Sequence, residues 1–248
     1  MRAEAEDVNL QLTVVMPVYN EEAALPGVLA AWSAELDRLG LDYRLCVYDD
    51  GSREATGRVL EEHARLHPRV VATRHTNRGH GPTILRGYRE AEGDWVFQVD
   101  SDGEMPPGAF ESLWRRREDY DLLIGRRVGR EEPPVRLLIT TVSRLAVRVL
   151  FGRGVRDVNS PYRLIRRDKL QALLQEVPGE PFAPNVILSG LAARAGLRIG
   201  EWPVPCEGRR AGRSSLTPVR ILKGSVRSFF ETIAVGLRAR RRAASRPR

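Results

Sequence analysis

Cysteine is almost absent: 248 residues carry only Cys46 and Cys206. Two thiols build neither a disulfide framework nor a four-ligand zinc site, so a reducing compartment is expected. Cys46 lies inside an apolar run and reads as core. Histidine is scarce too, at four residues, and none of them has metal-ligand spacing. His63 and His67 stand four apart on a predicted helix but lack the H-E-x-x-H pattern, so they read as surface residues. No uninterrupted apolar run reaches the roughly 20 residues that span a bilayer. The opening stretch, MRAEAEDVNL, is acidic and has no apolar centre, so no signal peptide is expected. Internal repeats and a domain linker are missing as well. The glycine-rich stretch NRGHGPT is not G-x-G-x-x-G, which argues against a dinucleotide-dependent dehydrogenase.

Acidic residues are missing from the last eleven positions, RARRRAASRPR, which hold six arginines. Formal net charge is +8, and without those six the body stands at +2. Basic charge confined to a tail, with no aromatic-basic platform, excludes a nucleic-acid-binding protein. It suits an anionic lipid surface or plain solvation. Residues 238–248 are expected to be a disordered basic tail. The expected location is cytoplasmic, or peripheral on the inner face of the membrane.

What the chain does have is alternation. Strands are expected at 12–19, 43–52, 69–75, 94–100 and 121–127. Helices are expected at 21–39, 54–67, 84–93 and 134–151, with NRGHGPT (77–83) as a turn. Residues 160–174 read as a strand or turn leading to a helix, and 185–204 as a helix followed by a strand. The strands are continuous apolar runs, not alternating ones. This predicts an α/β fold with a mostly parallel central sheet and helices on both faces. Hydrophobic residues, 42% of the total, supply an ample core for one domain. In helix 134–151, Val135, Leu138, Ile139, Val142, Leu145, Val149 and Leu150 share one face, opposite Arg136, Arg144 and Arg148. A last amphipathic helix, 219–237, carries Val219, Leu222, Val226, Phe229, Phe230, Ile233 and Leu237 in one stripe. The catalytic domain is expected to span 1–218. Both stripes suit either core packing or an anionic interface.

Ligands of such sheets bind beyond the carboxyl ends of the strands. Polar clusters fall there: Asn20 with Glu21, Asp49 with Asp50, and Asp100 to Glu104. The last reads FQVDSDGEMPP, with Asp100, Asp102 and Glu104 on alternate positions after an apolar run. Clustered carboxylates repel and resist desolvation, so a positive species is expected among them. Oxygen-only ligands select Mg2+ or Mn2+, which fill their remaining positions with water and substrate phosphates.

Taken in order, VVMPVYNEE, DDGS, NRGHGPTILRGYREAEGDWVFQVDSDGE and DVNSPYRLIRRDKL resemble the family-2 glycosyltransferases of the GT-A fold. Among them the chain is most similar to the polyprenyl- or dolichol-phosphate sugar transferases. The resemblance covers roughly residues 12–216. It implies a nucleotide-sugar donor, a divalent metal, inversion at the anomeric carbon and a polyprenyl-phosphate acceptor. Pro17, Tyr19 and Glu21 then wall the nucleotide pocket. Asp49 or Asp50 accepts hydrogen bonds from the base or ribose; alternatively Asp50 or Ser52 forms an Asx turn or helix N-cap, which leaves Asp49 for the ligand. Gly79 and Gly81 admit the nucleotide to the backbone, with His80 beside it. Asp100 lies near the ribose and the metal, with Ser101 beside it; Asp102 is the main metal ligand and Glu104 a further one, where the family usually carries Gln. Arg126 and Arg163 are carried over as active-site arginines, although Pro161 replaces the Gly that commonly precedes the latter by two. CEGRRAGRSSL brings Arg209 or Arg210, Arg213 and Ser214 to the diphosphate or to an acceptor phosphate, a role Arg126 shares.

Relatives that glycosylate a hydroxyl commonly place a catalytic Asp before the helix that follows this turn. Here the stretch is PFAPNVILSG, and the matching position is Asn185, which takes no proton. That favours a phosphate acceptor, which needs no base. The alternative is a soluble family-2 transferase acting on a glycan or small-molecule hydroxyl.

Overall fold

The computed structural model describes residues 10–53, 55–129, 134–152, 155–206, 208 and 218–244. Its strands are β1 (Leu12–Val18), β2 (Tyr43–Asp49), β3 (Val70–Arg74), β4 (Trp95–Gln98), β5 (Leu122–Val128), β6 (Arg163–Arg166) and β7 (Ile199–Pro205). They form one sheet in the order β3-β2-β1-β4-β6-β5-β7. β6 is antiparallel to β4 and β5, and every other pair is parallel. Two reversals about β6 bring the carboxyl ends of β1, β2, β4, β5 and β7 to the same edge. The predicted α/β architecture is the observed one.

The helices are α1 (Leu25–Arg38), α2 (Thr56–Leu66), α3 (His80–Glu90), α4 (Phe110–Trp114), α5 (Pro134–Phe151), α6 (Arg167–Leu174), α7 (Pro184–Arg194) and α8 (Pro218–Ala244). All seven residues of β1 are buried, because helices cover both sheet faces. Alternate residues feed opposite layers. Val14, Met16 and Phe97 pack with α1, α2 and α4, around Trp32, Phe110 and Tyr162. Val15, Cys46 and Val96 pack with α3, α5, α6, α7 and α8. The Phe97 ring lies 4.7 Å from that of Phe110 and 4.8 Å from that of Tyr162.

Helix starts differ from expectation. α1 begins at Leu25, not residue 21, with Pro26 in its first turn, where its missing N–H costs nothing. α3 begins at His80, inside the segment expected as a turn. Gly79 caps it at φ 100°, a backbone that L side chains rarely adopt. Pro82 then sits in the first turn. Gly and Pro here start a helix; they do not break one.

The two amphipathic helices also pack differently from the simplest expectation. In α5 the predicted stripe members Val142, Leu145 and Val149 are exposed, while Val147 and Phe151 are buried. α8 continues through Ala244, so residues 238–244, expected as disordered tail, are helical. Ala239 is buried, and its carbonyl accepts a 2.7 Å bond from Arg194 Nη2. The buried side of α8 is made of Gly224, Ser228, Thr232, Val235 and Ala239. From the predicted stripe, Val226, Phe230 and Leu237 face outward. Small residues let the helix approach closely: a Cβ on Gly224 would stand 2.1 Å from the Phe182 ring. The side chains of Val219 and Leu222 lie outside the described residues.

Candidate active site

The edge built by these carboxyl ends carries most of the expected residues. Pro17 is buried within β1 opposite Tyr48, so Tyr19 and Glu21, not Pro17, lie beyond the strand end. Asn20 adopts φ 54°, the left-handed region that Asn tolerates better than most residues. Its N–H donates to Ser52 Oγ at 3.0 Å, and its Oδ1 accepts from Arg53 N at 2.9 Å. The β1 and β2 loops are thus stitched together.

Both aspartates of DDGS engage protein groups, and Asp49 Oδ2 accepts no hydrogen bond among the described residues. Asp49 Oδ1 accepts from Ser52 N (2.9 Å) and Ser52 Oγ (2.5 Å), and Oδ2 pairs with Arg74 Nε at 3.3 Å. This is the Asx turn of the alternative reading, and Asp49, not Asp50, forms it. Asp50 accepts Arg78 N at 2.7 Å and Gly79 N at 2.9 Å, so it braces the turn that opens α3. Gly81 packs closely against a neighbouring loop. A Cβ there would meet the carbonyl oxygens of Pro181 and Phe182, at 2.4 and 2.5 Å. Its bareness admits that loop.

Asp100 and Asp102 follow β4. The Asp100 carboxyl is raised above the usual carboxylate range, chiefly by burial. His80 opposes that shift, Asp102 adds to it and Arg127 opposes it. His80 Nε2 lies 3.5 Å from Asp100 Oδ1 on a mostly exposed side chain. Ser101 is buried at the turn, and Gly103 takes φ 69°. Asp102 Oδ1 accepts the Glu104 N–H at 3.1 Å. Asp102 also lines a cavity of about 250 Å3 between its loop and α1, walled by Gly27, Val28, Ala31 and Met105.

The expected set of three carboxylates does not converge. Among the described residues no group of three or more His, Cys, Asp or Glu is arranged to hold a metal ion. The turn directs Glu104 toward Cys206, whose Sγ donates to Glu104 Oε2 at 3.6 Å. Asp100 and Asp102 remain as oxygen donors at the cleft. One or two carboxylates are what Mg2+ typically takes alongside substrate phosphates, so the donor set fits a hard divalent cation.

The arginines divide. Arg126 is half-buried near the carboxyl end of β5, on the edge that carries Asp100. Its neighbour Arg127 grips Asp157 through Nε at 2.9 Å and Nη2 at 2.8 Å. Sequence reasoning missed Arg127, whose charge reaches Asp100. Arg163, expected in the active site, is only 2% exposed. It donates to the carbonyls of Ser160 (3.0 Å), Val158 (3.2 Å) and Asn185 (3.3 Å) and to Ser189 Oγ at 3.4 Å. It ties β6 to α7 and touches no open cleft. Arg209, Arg210, Arg213 and Ser214 lie outside the described residues. His63 and His67 stack at 4.2 Å, and His63 is partly buried, which lowers its pKa; it is not the simple surface residue expected.

Comparison with known proteins places this geometry. The family model described as "Glycosyl transferase family 2" matches residues 13–174. The undecaprenyl-phosphate 4-deoxy-4-formamido-L-arabinose transferase of Pseudomonas fluorescens (strain Pf0-1) is 31% identical over 214 residues, 85% of this chain and 62% of that protein. The enzyme of the same name from Proteus mirabilis (strain HI4320) is 32% identical over 197 residues, 78% of this chain and 60% of that protein. The chain therefore spans about three fifths of the length of these relatives. In fold it is similar to glucosyl-3-phosphoglycerate synthase from Mycobacterium tuberculosis, solved with Mn2+, UDP-glucose and phosphoglyceric acid. That match has a TM-score of 0.65 at 23% identity, covering 91% of this chain and 79% of the other. S. aureus TarS is similar at a TM-score of 0.58 and 19% identity, covering 79% and 60%.

Proposed function

Because the chain belongs to glycosyl transferase family 2, we propose that it moves a hexose from a UDP- or GDP-linked donor to a polyprenyl phosphate. The reaction inverts the anomeric carbon and uses a divalent cation, Mg2+ or Mn2+. The acceptor class of the two relatives supports this reading. So does the Mn2+ and UDP-glucose bound by the solved neighbour.

The observation that carries the choice of acceptor is the state of Asn185. A sugar hydroxyl is scarcely ionised at neutral pH and needs a base. At the position the resemblance assigns to that base, this chain has an amide, only 3% exposed. Its Nδ2 donates to Gln98 Oε1 at 2.7 Å, so it faces the core. A phosphate monoester already carries roughly −1.5 to −2 charge at pH 7. One of its oxygens bonds to the anomeric carbon while the bond from that carbon to the donor's β-phosphate oxygen breaks. The electron pair leaves with the nucleoside diphosphate, and the acceptor gives up no proton.

Asp102 and Asp100 would hold the cation, which neutralises charge on the departing diphosphate when bound. Tyr19, Glu21 and the turn braced by Asp50 frame the nucleotide end. Arg126 lies on the same edge, where the acceptor phosphate is expected, and Arg209, Arg210, Arg213 and Ser214 are assigned to the same phosphate.

The proposed location is peripheral, on an anionic bilayer. Among the described residues no helix is long and apolar enough to cross a membrane. The outward Val142, Leu145 and Val149 of α5, and Val226, Phe230 and Leu237 of α8, offer apolar contact. The exposed Arg144, Arg148 and Arg238 lie on the same two helices. Such faces bind shallowly at an interface.

The test uses the full chain with Mn2+ and UDP- or GDP-hexoses, offered a short polyprenyl phosphate and the matching polyprenol. Transfer to the phosphate alone is expected. Transfer to a free hydroxyl, with none to any prenyl phosphate, replaces this reading with the glycan or small-molecule transferase.

A further inference from the structure

We infer that Gln98 is a positioning residue for the Asp100 carboxylate, fixed in that role by Tyr88 and Asn185. Gln98 ends a strand whose other residues are Trp95, Val96 and Phe97. It is fully buried, as is Tyr88. A buried amide must satisfy both its acceptor and its donor end.

The acceptor end is settled twice. Gln98 Oε1 receives Asn185 Nδ2 at 2.7 Å and the Tyr88 hydroxyl at 2.8 Å. The same hydroxyl lies 3.1 Å from Asn185 Oδ1, so its one proton is shared between two amide oxygens and favours both amides with their oxygens toward Tyr88. Burial raises the Tyr88 pKa, so its hydroxyl stays protonated and remains a donor. The Asn185 backbone is anchored as well, since its carbonyl accepts from Arg163 Nη1. Flipping the Gln98 amide would set N–H against the Asn185 N–H and a carbonyl against a carboxylate. With Oε1 held this way, Nε2 points at Asp100 Oδ1, 3.3 Å away.

Three elements, α3, β4 and α7, thus converge to present one N–H to one carboxylate. With Oδ1 engaged, the rotation of the carboxylate is restricted and Oδ2 is the oxygen left for a cation. Partners that orient a ligating group typically change metal affinity about 10- to 100-fold when removed. Asn185 thereby acquires a function of its own, because it orients the residue that orients Asp100. The inference rests on the proposed metal role of Asp100.

Mn2+ binding to the full chain in the presence of UDP or GDP, read by electron paramagnetic resonance, tests it. Wild type, Gln98→Met, Tyr88→Phe and the double variant are compared. Gln98→Met should weaken Mn2+ binding by about 10-fold. Tyr88→Phe should weaken it less, and should add nothing in the Gln98→Met background, because Tyr88 acts only through Gln98. Wild-type affinity in Gln98→Met, or strictly additive losses, overturns the positioning role while the metal reading stands. If Gln98→Met does not fold, wild-type Mn2+ affinity in Tyr88→Phe overturns the role by itself. Absence of Mn2+ binding to the wild type with either nucleotide overturns the metal reading, and this inference with it.

Discussion

Gly81 lies so close to the carbonyl oxygen of Phe182 that a Cβ on it would stand 2.5 Å away. Real Cβ atoms do not tolerate that approach, and the obstacle is backbone. The contact belongs to a stack that starts at the turn before α3 and ends at α8. Arg78, in the turn before α3, pairs with Glu180. Phe182 N donates to Glu231 at 2.9 Å, and its ring fills the space over Gly224. Gly81→Ala is therefore expected to cost about 1–3 kcal/mol of stability by overpacking. Gly27→Ala, in the exposed face of α1 with nothing within 4 Å of the new Cβ, should gain up to about 1 kcal/mol. Thermal unfolding of both variants checks the pair; an unchanged Tm in Gly81→Ala would contradict the close contact.

Arg163 shows how a family motif and local physics diverge. Its guanidinium serves three carbonyls and a hydroxyl inside the core. Arg163→Met should remove all four bonds and leave the Ser160 carbonyl without this donor, while Val158 O keeps the Ser189 hydroxyl at 2.9 Å; it should destabilise the fold by about 3 kcal/mol, on the scale of unsatisfied buried polar groups. The Michaelis constant of any protein that remains folded should change little. A folded, stable variant with a selectively raised acceptor KM would restore Arg163 to the site.

The sheet was legible because its strands are apolar runs bounded by charge, and burial on both faces demands such runs. The edge that carries the site was legible for the same reason, since carboxylates collect where those runs stop. Boundaries near Pro26, Gly79 and Pro82 were not, because the same residues punctuate a loop and open a helix. Side-chain assignments failed where the partner is remote in sequence. Nothing near Asp49 announces Arg74, nothing near Glu104 announces Cys206, and nothing near Gly81 announces Phe182. One signal was present and went unread: Gln98, a polar residue at the end of an apolar strand, had to find hydrogen bonds. Apolar residues do line one side of α5, at Val142, Leu145 and Val149, and of α8, at Val226, Phe230 and Leu237. Which side would be buried depends on small residues such as Gly224 and Ser228, which a hydrophobicity pattern does not register.

Asp102→Asn should abolish turnover and leave the melting temperature close to wild type. The change removes one charge from the oxygen-donor set and is nearly isosteric, on a loop whose turn at Glu104 the amide oxygen still accepts. Loss of a charge-stabilising group of this kind typically costs several kcal/mol of barrier. Activity that persists in Asp102→Asn, or in the wild type with EDTA, would overturn the metal-dependent reading.

Asp121 makes a pH-dependent contribution at the other end of the sheet. Arg198 Nη2 donates to it at 2.9 Å and Arg198 N at 2.9 Å. These bonds, led by the guanidinium, hold the Asp121 carboxyl below its ordinary value. Its contribution is therefore complete above the unfolded value of about 4 and lost as pH falls through the lower folded value. Asp121→Asn should lower the Tm at pH 7, and the gap to wild type should narrow as pH falls below about 4, through the depressed folded value. A gap that stays constant across that range would show that packing, not charge, sets the effect.

The outward stripe of α5 and α8 yields the prediction with the widest reach. Phe230 is 64% exposed on a helix that buries Gly224 and Ser228 instead. That inversion leaves an aromatic ring and the exposed Leu145 turned away from the core. Burying a side chain such as Phe gains about 1.5–3 kcal/mol, and each arginine near an anionic surface adds about 1 kcal/mol, screened by salt. Phe230→Ser should accordingly weaken binding to phosphatidylglycerol-containing vesicles by about tenfold or more, with little salt dependence in the loss. Arg238→Gln with Arg241→Gln should weaken it mainly at low salt. Neither variant should change turnover on a short, water-soluble prenyl phosphate, because these side chains lie on the outer face of α8 and not on the edge that carries Asp100 and Asp102. Co-sedimentation at two salt concentrations separates the apolar from the electrostatic part. Equal pelleting of wild type and Phe230→Ser would mean that the stripe meets no bilayer, and a concentration-dependent change in mass by light scattering, lost in Phe230→Ser, would identify a second copy of this chain as the partner.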